Sequence, residues 1–211
     1  MKNKLITLIA SLALARSAFA APETFDFKDP KSVNTALFHL DAPLESVNGS
    51  ANGITGSVTF DPDKPGDTKG KIVVSTASLT VPNSMMNGHL HSDKWMDAAK
   101  YPELSFDVKE LKNLKTAGDV TTADAVGTFA CKDVSKELTV PVKLTYLKDK
   151  LAQRVPNMKG DLLVIRANFK IKRSEFNINP GQYEDKVSDE IELTLSIAGA
   201  SPKEFPDMLR R

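Results

Sequence analysis

Apolar and polar residues alternate along most of this chain, with the period of two that is typical of strands buried on one face. The clearest run covers residues 138–147, where apolar residues occupy every second position: Leu138, Val140, Val142, Leu144 and Tyr146. Comparable runs predict further strands at residues 25–28, 34–41, 54–60, 70–81, 104–111, 123–130, 162–172 and 190–198. The pattern therefore predicts eight or nine strands, which together cover most of the chain.

Strands that are apolar on one face have few ways to bury that face. A flat sheet of this size would leave two unpaired edges and a bare apolar surface. Rolling the sheet into an antiparallel barrel removes both problems. A barrel of about eight strands either is filled by its own side chains or holds one small ligand, as in lipocalins. We therefore predict an all-β fold, a lipocalin-like antiparallel β-barrel, with residues 21–200 as one domain and residues 201–211 as a C-terminal tail.

One segment interrupts the alternation. Between residues 84 and 100, apolar residues are spaced irregularly among His, Ser, Asp and Lys, which suits a helical turn or two better than a strand. Ser92 or Asp93 is a suitable N-cap, and Tyr101 would end the helix because Pro102 follows it. We expect one short helix over about residues 92–100, near one end of the barrel, with Trp95 on it.

The first twenty residues have the features of a secretory leader. Lys2 and Lys4 precede an apolar stretch at residues 5–15, and Ala18-Phe19-Ala20 forms an A-x-A cleavage site. The apolar stretch is short for a membrane span. We expect cleavage after Ala20 and export of the mature chain, which would begin with alanine rather than with the cysteine of a lipoprotein.

Composition and charge narrow the function further. The chain has 211 residues, enough for one domain with a substantial core, and a formal net charge of +1. This near-neutral balance argues against nucleic acid as a partner. Cys131 is the only cysteine, so it has no internal disulfide partner. A part-buried small residue at a strand end is the favoured interpretation of Cys131, ahead of a reactive thiol.

Candidate catalytic chemistry is sparse. The sequence has no G-x-S-x-G elbow, no glycine-rich phosphate loop and no H-E-x-x-H motif. Its histidines are His39, His89 and His91, and the His89–His91 pair lacks the third ligand that a zinc site needs. Hydrogen bonding around the helix cap is the favoured role for that pair. We predict a protein that is not an enzyme and that has no metal site and no cofactor.

Three stretches resemble the YceI-like family, in the same order and at compatible spacing. The first is NGHLHS at residues 87–92, followed by WMD at 95–97, YP at 101–102 and Phe106. The second combines VGTF at 126–129 with KELTVPV at 136–142, and the third is FKIKRSEFNI at 169–178. The resemblance covers nearly the whole chain after the leader. It implies a barrel with a hydrophobic tunnel that holds a polyisoprenoid or a prenylquinone.

Together with the leader, the resemblance implies a periplasmic lipid-binding or carrier protein. The alternative is a non-catalytic stress-response or interaction protein whose barrel is filled and holds no stable ligand. A homodimer is compatible with either interpretation. Recovery of a lipid from the purified protein would separate the two.

Alternation alone selects the candidate ligand contacts, and an error of one residue in register would turn a strand's whole set outward. The inward choices and the lid residue are Phe38, Phe60, Val74, Trp95, Phe106, Leu144, Phe169 and Leu195. Lys170, Lys172 and Arg173 form a small basic patch, which is more often a solvated strand face than a phosphate clamp. If the lipid were phosphorylated, these three residues would be the candidate head-group contacts.

Overall fold

The structure is a computed structural model, and it describes residues 21–204. The predicted leader, residues 1–20, and residues 205–211 of the predicted tail lie outside the described part. The strands are β1 (Glu23–Asp26), β2 (Thr35–Asp41), β3 (Ser46–Ala51), β4 (Ile54–Phe60), β5 (Lys69–Ser75), β6 (Glu103–Ala117), β7 (Val120–Cys131), β8 (Val134–Leu147), β9 (Lys159–Lys172) and β10 (Glu190–Glu204). The helices are α1 (Ser84–His91) and α2 (Leu151–Arg154), with 3₁₀ turns at Pro65–Asp67, Thr76–Ser78 and Arg173–Phe176.

The predicted eight-stranded antiparallel barrel is confirmed. Its strands follow the order β1-β4-β5-β6-β7-β8-β9-β10, and the pairing of Asp26 in β1 with Ala200 in β10 closes the ring. The same edge of β10 also carries β2, which pairs with β3. An isolated bridge between Ser50 in β3 and Thr80 connects this strand pair to the segment that follows β5. The last strand runs to Glu204, so the first four residues of the predicted tail belong to the barrel.

The barrel interior contains two apolar clusters. The first has at its centre Phe25, Phe27, Phe60, Leu163 and Ile197, each almost completely buried. The second gathers beside α1 and the Arg173–Phe176 turn, around Met96, Phe129, Cys131, Phe176 and Ile178. Aromatic and β-branched residues at alternate strand positions suit such an interior, because every second side chain of each strand points inward.

The predicted helix, over about residues 92–100, was placed eight residues too far along the chain. Helix α1 begins at Ser84, because the side chain of Asn83 accepts hydrogen bonds from the backbone N–H groups of Met85 (2.9 Å) and Met86 (3.2 Å) and so acts as the N-cap. Ser92 lies at the other end of the helix, where its hydroxyl donates to the His89 carbonyl oxygen (2.7 Å). Residues 92–100 form turns instead of a helix.

Two strand predictions also had wrong bounds. The strand predicted over 70–81 ends at Ser75, where a 3₁₀ turn over Thr76–Ser78 follows. The strand predicted over 104–111 continues to Ala117 and forms the outer part of the β6–β7 hairpin. Residues 112–117 are exposed, so no apolar alternation marks this part of the strand in the sequence.

A buried polar network surrounds Asp161, near the start of β9. Asp161 is fully buried and accepts hydrogen bonds from the backbone N–H of Asp149 (2.8 Å), the hydroxyl of Tyr146 and the ammonium of Lys203 (2.9 Å). Burial acts to raise the pKa of the Asp161 carboxyl, but these hydrogen bonds and the Lys203 charge outweigh it and hold the pKa below its usual value. The network therefore links β8, β9 and β10 by side-chain hydrogen bonds.

Candidate functional site

An apolar cavity of about 150 Å³ lies inside the barrel. Every strand of the ring except β1 contributes to its wall, and the only polar residues among the lining are Thr68, Ser105 and Thr194. Six predicted contact residues line it: Phe38, Val74, Phe106, Leu144, Phe169 and Leu195. Their position is thus established, while their role in binding a ligand stays a prediction.

The other two predicted apolar contacts lie elsewhere. Phe60 is buried in the first cluster, where its ring centroid is 6.1 Å from that of Tyr146. Trp95 packs against the second cluster and stacks on Tyr183 with a centroid distance of 6.3 Å. Neither residue is part of the cavity wall. The role of Trp95 as a lid stays a prediction.

Small residues make room for the cavity, and an alanine at an inward strand position carries no sequence signal that marks it as part of a cavity wall. Ala36, Ala51, Ala125 and Ala167 are all part of the wall. Gly49 in β3 lies directly opposite Phe38, and a Cβ atom there would come within 1.9 Å of the Phe38 ring. The absence of a side chain at Gly49 therefore gives the Phe38 ring its place beside the cavity.

Aromatic side chains pack within both apolar clusters of the barrel. In the first cluster Phe25 and Phe60 pack against Tyr146, with centroid distances of 6.2 and 6.1 Å. In the second cluster the ring of Phe176 meets Phe129 edge to face, with centroids 5.3 Å apart, and Phe129 also lines the cavity. The second cluster therefore adjoins the cavity.

The wall is incomplete between β8 and β9. The two strands pair only between residues 142–147 of β8 and 162–167 of β9, although both continue beyond Val142 and Ala167. Residues 134–141 and 168–172 thus face each other without a ladder, and Pro141, next to the last pair, has no N–H to extend one. We call this opening the lateral slot. Its far end is bounded by the Arg173–Phe176 turn, where Glu175 forms an ion pair with Lys136 (3.5 Å).

An open groove of about 600 Å³ crosses the outside of the barrel at the base of the slot. Its wall shares four residues with the wall of the inner cavity: Val142, Ala167, Thr194 and Leu195. The charged residues that line it are Lys115, Asp124, Lys143 and Arg166. The apolar interior and a polar outer surface therefore meet at the lateral slot.

The three predicted head-group residues have different surroundings. Lys170 is exposed and forms ion pairs with Glu190 (2.6 Å) and Glu192 (2.9 Å), whose hydrogen bonds raise the pKa of its ammonium. Lys172 is exposed. Arg173 is fully buried, and its side-chain N–H groups donate to the carbonyl oxygens of five residues: Ile178, Asn179, Gln182, Val187 and Ser188. Hydrogen bonding within the protein therefore accounts for Arg173 without a ligand.

The histidines make local hydrogen bonds. The Nε2 atom of His91 lies 2.7 Å from the Leu79 carbonyl oxygen, and the Nδ1 atom of His39 lies 2.9 Å from the side-chain oxygen of Asn48. Within residues 21–204, no group of three or more His, Cys, Asp or Glu side chains is arranged to hold a metal ion. In the same residues, no helix combines the length and apolar character that crossing a membrane requires.

Cys131 is expected to resist thiol reagents in the folded protein. The residue is 1% exposed, and burial raises the pKa of its thiol to about 12. The reactive thiolate is then much rarer at pH 8 than in a free cysteine. Labelling with a thiol-specific chromogenic disulfide should be negligible in buffer and complete in denaturant. Rapid labelling of the folded protein would contradict this placement.

Comparisons with known proteins agree on one family. A model of the YceI-like domain matches residues 27–198. The UPF0312 protein YE1254 of Yersinia enterocolitica is 32% identical over 199 residues, covering 94% of this chain and 96% of that protein. A UPF0312 protein of Yersinia pestis is 30% identical with the same coverage.

Solved structures show the same fold. Burkholderia cenocepacia BcnA superposes with a TM-score of 0.61 at 20% identity, over 78% of this chain and 94% of that one. The Campylobacter jejuni YCEI protein gives a TM-score of 0.60 at 24% identity, over 74% and 85% of the two chains. A polyisoprenoid binding domain from Saccharophagus degradans gives 0.61 at 10% identity, over 86% and 100%.

Proposed function

This chain belongs to the YceI-like family, and from that premise we propose that it is a binding or carrier protein for a polyisoprenoid or prenylquinone-type lipid. The observation that carries the proposal is the apolar cavity in the barrel, whose wall has no ionisable side chain among the described residues. The related fold of a polyisoprenoid binding domain supports the same ligand class. The leader-like first twenty residues support export to the periplasm as the site of action.

The size of the cavity sets how much of a lipid it holds in this conformation. An apolar cavity of about 150 Å³ accommodates a six-carbon ring, so this one has room for about one five-carbon prenyl unit. Burying such a unit contributes about 4 kcal/mol at most, at roughly 0.8 kcal/mol per carbon. This gain is too small for tight binding once the association costs are subtracted. A longer chain therefore has to displace wall side chains or continue outside the barrel.

The cavity wall contains side chains that can move to admit more of a chain. Val74, Phe106 and Leu195 are inward-facing but only partly buried, which is the exposure expected beside a cavity. A hydrocarbon needs no hydrogen bonds along its length, so a wall that is apolar apart from three hydroxyl side chains suits it. The same wall offers no acid, base or nucleophile pair, which favours binding over catalysis.

A filled barrel is the competing interpretation, and the two apolar clusters inside the barrel favour it. In that case the protein would be a non-catalytic stress-response or interaction protein. Its cavity would be a packing defect of the kind that small apolar molecules can occupy without any physiological role.

Organic extraction followed by mass spectrometry separates the two interpretations. The full chain is expressed with its leader, purified from the periplasmic fraction without detergent, and extracted. We expect a prenyl lipid in a near-stoichiometric amount and a mature chain that begins at Ala21. An extract without lipid, from protein that also fails to take up added farnesol, would overturn the carrier proposal in favour of the filled barrel.

A further inference from the structure

The lateral slot is where the apolar interior is continuous with the protein surface. Four wall residues belong both to the cavity and to the outer groove, and they lie on β8, β9 and β10 at the base of the slot. A wall segment without ladder hydrogen bonds separates more easily than a paired one, so the slot is a place where the wall can open.

The surface beside the slot carries positive charges that face one another. Lys143 in β8 lies directly opposite Arg166 in β9, and both side chains point outward. Lys115 in β6 lies in the same row across the sheet, because it pairs with Thr122 in β7 and Thr122 pairs with Lys143. We call Lys115, Lys143 and Arg166 the basic row. Like charges directly opposite on neighbouring strands destabilise a sheet, so this arrangement is unfavourable unless an anion lies between them.

No ion pair neutralises the charges of the basic row in the described part of the chain. Within residues 21–204, none of its three members forms an ion pair, whereas Lys109, Lys112 and Lys170 on the same outer surface all do. Asp124 is the only acidic residue that lines the groove, and its side chain accepts a hydrogen bond from Asn113 (2.7 Å). Arg166 is held in place by hydrogen bonds from Nη1 to the carbonyl oxygens of Ile165 and Ile197, both 3.1 Å.

We propose that the lateral slot between β8 and β9 is the mouth of the cavity, and that the basic row beside it binds the anionic, phosphate-type head group of the bound lipid. The inference rests on the proposed function and deepens it by naming the class of head group and its contacts. In this arrangement, the prenyl end lies in the cavity and the rest of the chain passes between Val142 and the unpaired part of β9. The head group then lies between Lys143 and Arg166, where its charge relieves their repulsion.

This placement differs from the head-group site expected from the sequence. Lys170 is neutralised by Glu190 and Glu192, and Arg173 is buried with its donors engaged by backbone carbonyls. Lys143 and Arg166 are separated by 23 positions in the chain, and only the register of β8 with β9 brings them opposite each other.

Calorimetric titration with two probes tests the head-group site. Farnesol and farnesyl diphosphate share the same prenyl chain and differ in the anionic group. We expect the wild-type protein to bind the diphosphate at least about tenfold more tightly, because a hydrogen bond to a charged group contributes about 1.4 kcal/mol or more. The double variant Lys143→Glu/Arg166→Glu should lose this preference and keep its affinity for farnesol. The matched control Lys71→Glu/Lys148→Glu, with the same charge change outside the groove, should keep the preference.

Each other outcome has a defined meaning. If neither probe binds the wild-type protein, the proposed function itself fails. If farnesol binds and the diphosphate gains nothing, only the head-group site is overturned. If inorganic pyrophosphate binds as tightly as farnesyl diphosphate, the basic row is a site for free phosphate and not for a lipid head group. If the double variant keeps the diphosphate preference but no longer associates with anionic phosphatidylglycerol vesicles, the row is a membrane-docking surface, and the head-group site is likewise overturned.

A reversible crosslink tests the mouth. Pro141 and Asn168 are the first opposed positions beyond the last ladder pair. In a Cys131→Ala background, Pro141→Cys/Asn168→Cys should slow transfer of labelled farnesol to empty vesicles when oxidised and recover on reduction. The control Thr128→Cys/Glu137→Cys joins strands that are already paired and should leave transfer unchanged. Equal transfer rates in the oxidised and reduced slot variant would overturn the lateral mouth.

Discussion

Replacing Arg173 with alanine is expected to lower the free energy of unfolding by about 4 kcal/mol or more, one of the two largest effects that we predict. The guanidinium group is fully buried and donates to the carbonyl oxygens of five residues between positions 178 and 188. Alanine would remove this donor from all five carbonyl oxygens. That of Asn179 would keep the backbone N–H of Gln182 (3.2 Å), and each of the others left buried and unsatisfied costs about 1–3 kcal/mol. The loss includes packing, because the guanidinium also lies 5.9 Å from the Trp95 ring.

Urea denaturation of the variants measures this effect, with neighbouring substitutions as controls. Arg173→Lys keeps the charge but loses the planar fork that reaches several carbonyls at once, so it should also be strongly destabilised. Lys172→Ala removes an exposed side chain and should change the free energy of unfolding by no more than about 0.5 kcal/mol. A loss of less than about 1 kcal/mol in Arg173→Ala would show that water replaces the guanidinium and that Arg173 does not hold the loop.

The role of Arg173 explains how a long irregular segment can cover one end of the barrel. Residues 177–189 contain no strand and no helix, and their backbone carbonyls converge on this one side chain. The segment supplies Tyr183, which stacks on Trp95, and Ile178, which joins the second apolar cluster. One buried arginine thus replaces a ladder as the source of backbone order, as is common for buried carbonyl groups outside regular structure.

The barrel and most of its inward residues could be predicted because alternation and burial agree on the same strands. In β8 and β10, for example, Leu144 and Leu195 were assigned to the interior from sequence alone, and they lie there. The helix could not be placed in this way, because Asn83 and Ser92 are both good N-cap residues and only tertiary context selects between them. The outer part of β6 was missed because an exposed strand shows no apolar period.

The candidate site was less predictable than the barrel, since it depends on what the strands leave out. The cavity exists where Ala36, Ala125 and Ala167 replace larger residues, and a small residue at an inward position gives no signal of its own. The lateral slot depends on where pairing stops. Pro141 is a sequence signal for it, because proline has no N–H to donate to a neighbouring strand. The opposition of Lys143 and Arg166 required the register itself.

Replacing Ala125 with phenylalanine is expected to abolish lipid binding while the barrel stays folded. Ala125 is 2% exposed, points inward from β7 and is part of the cavity wall. The substitution adds one phenyl ring, and a cavity of about 150 Å³ has the size that holds benzene. We therefore expect the ring to fill the cavity with little strain, and the lipid recovered by extraction to fall from near-stoichiometric to trace amounts.

The control for this variant lies on the same strand. Ala130 points to the opposite face of β7, so Ala130→Phe adds the same ring outside the cavity and should leave lipid recovery unchanged. Circular dichroism and urea denaturation show whether each variant is folded, and overpacking would appear as a loss of about 1–3 kcal/mol in the free energy of unfolding. A folded Ala125→Phe variant that still carries lipid at the wild-type level would mean that the hydrocarbon binds elsewhere, and the barrel cavity would no longer be the site.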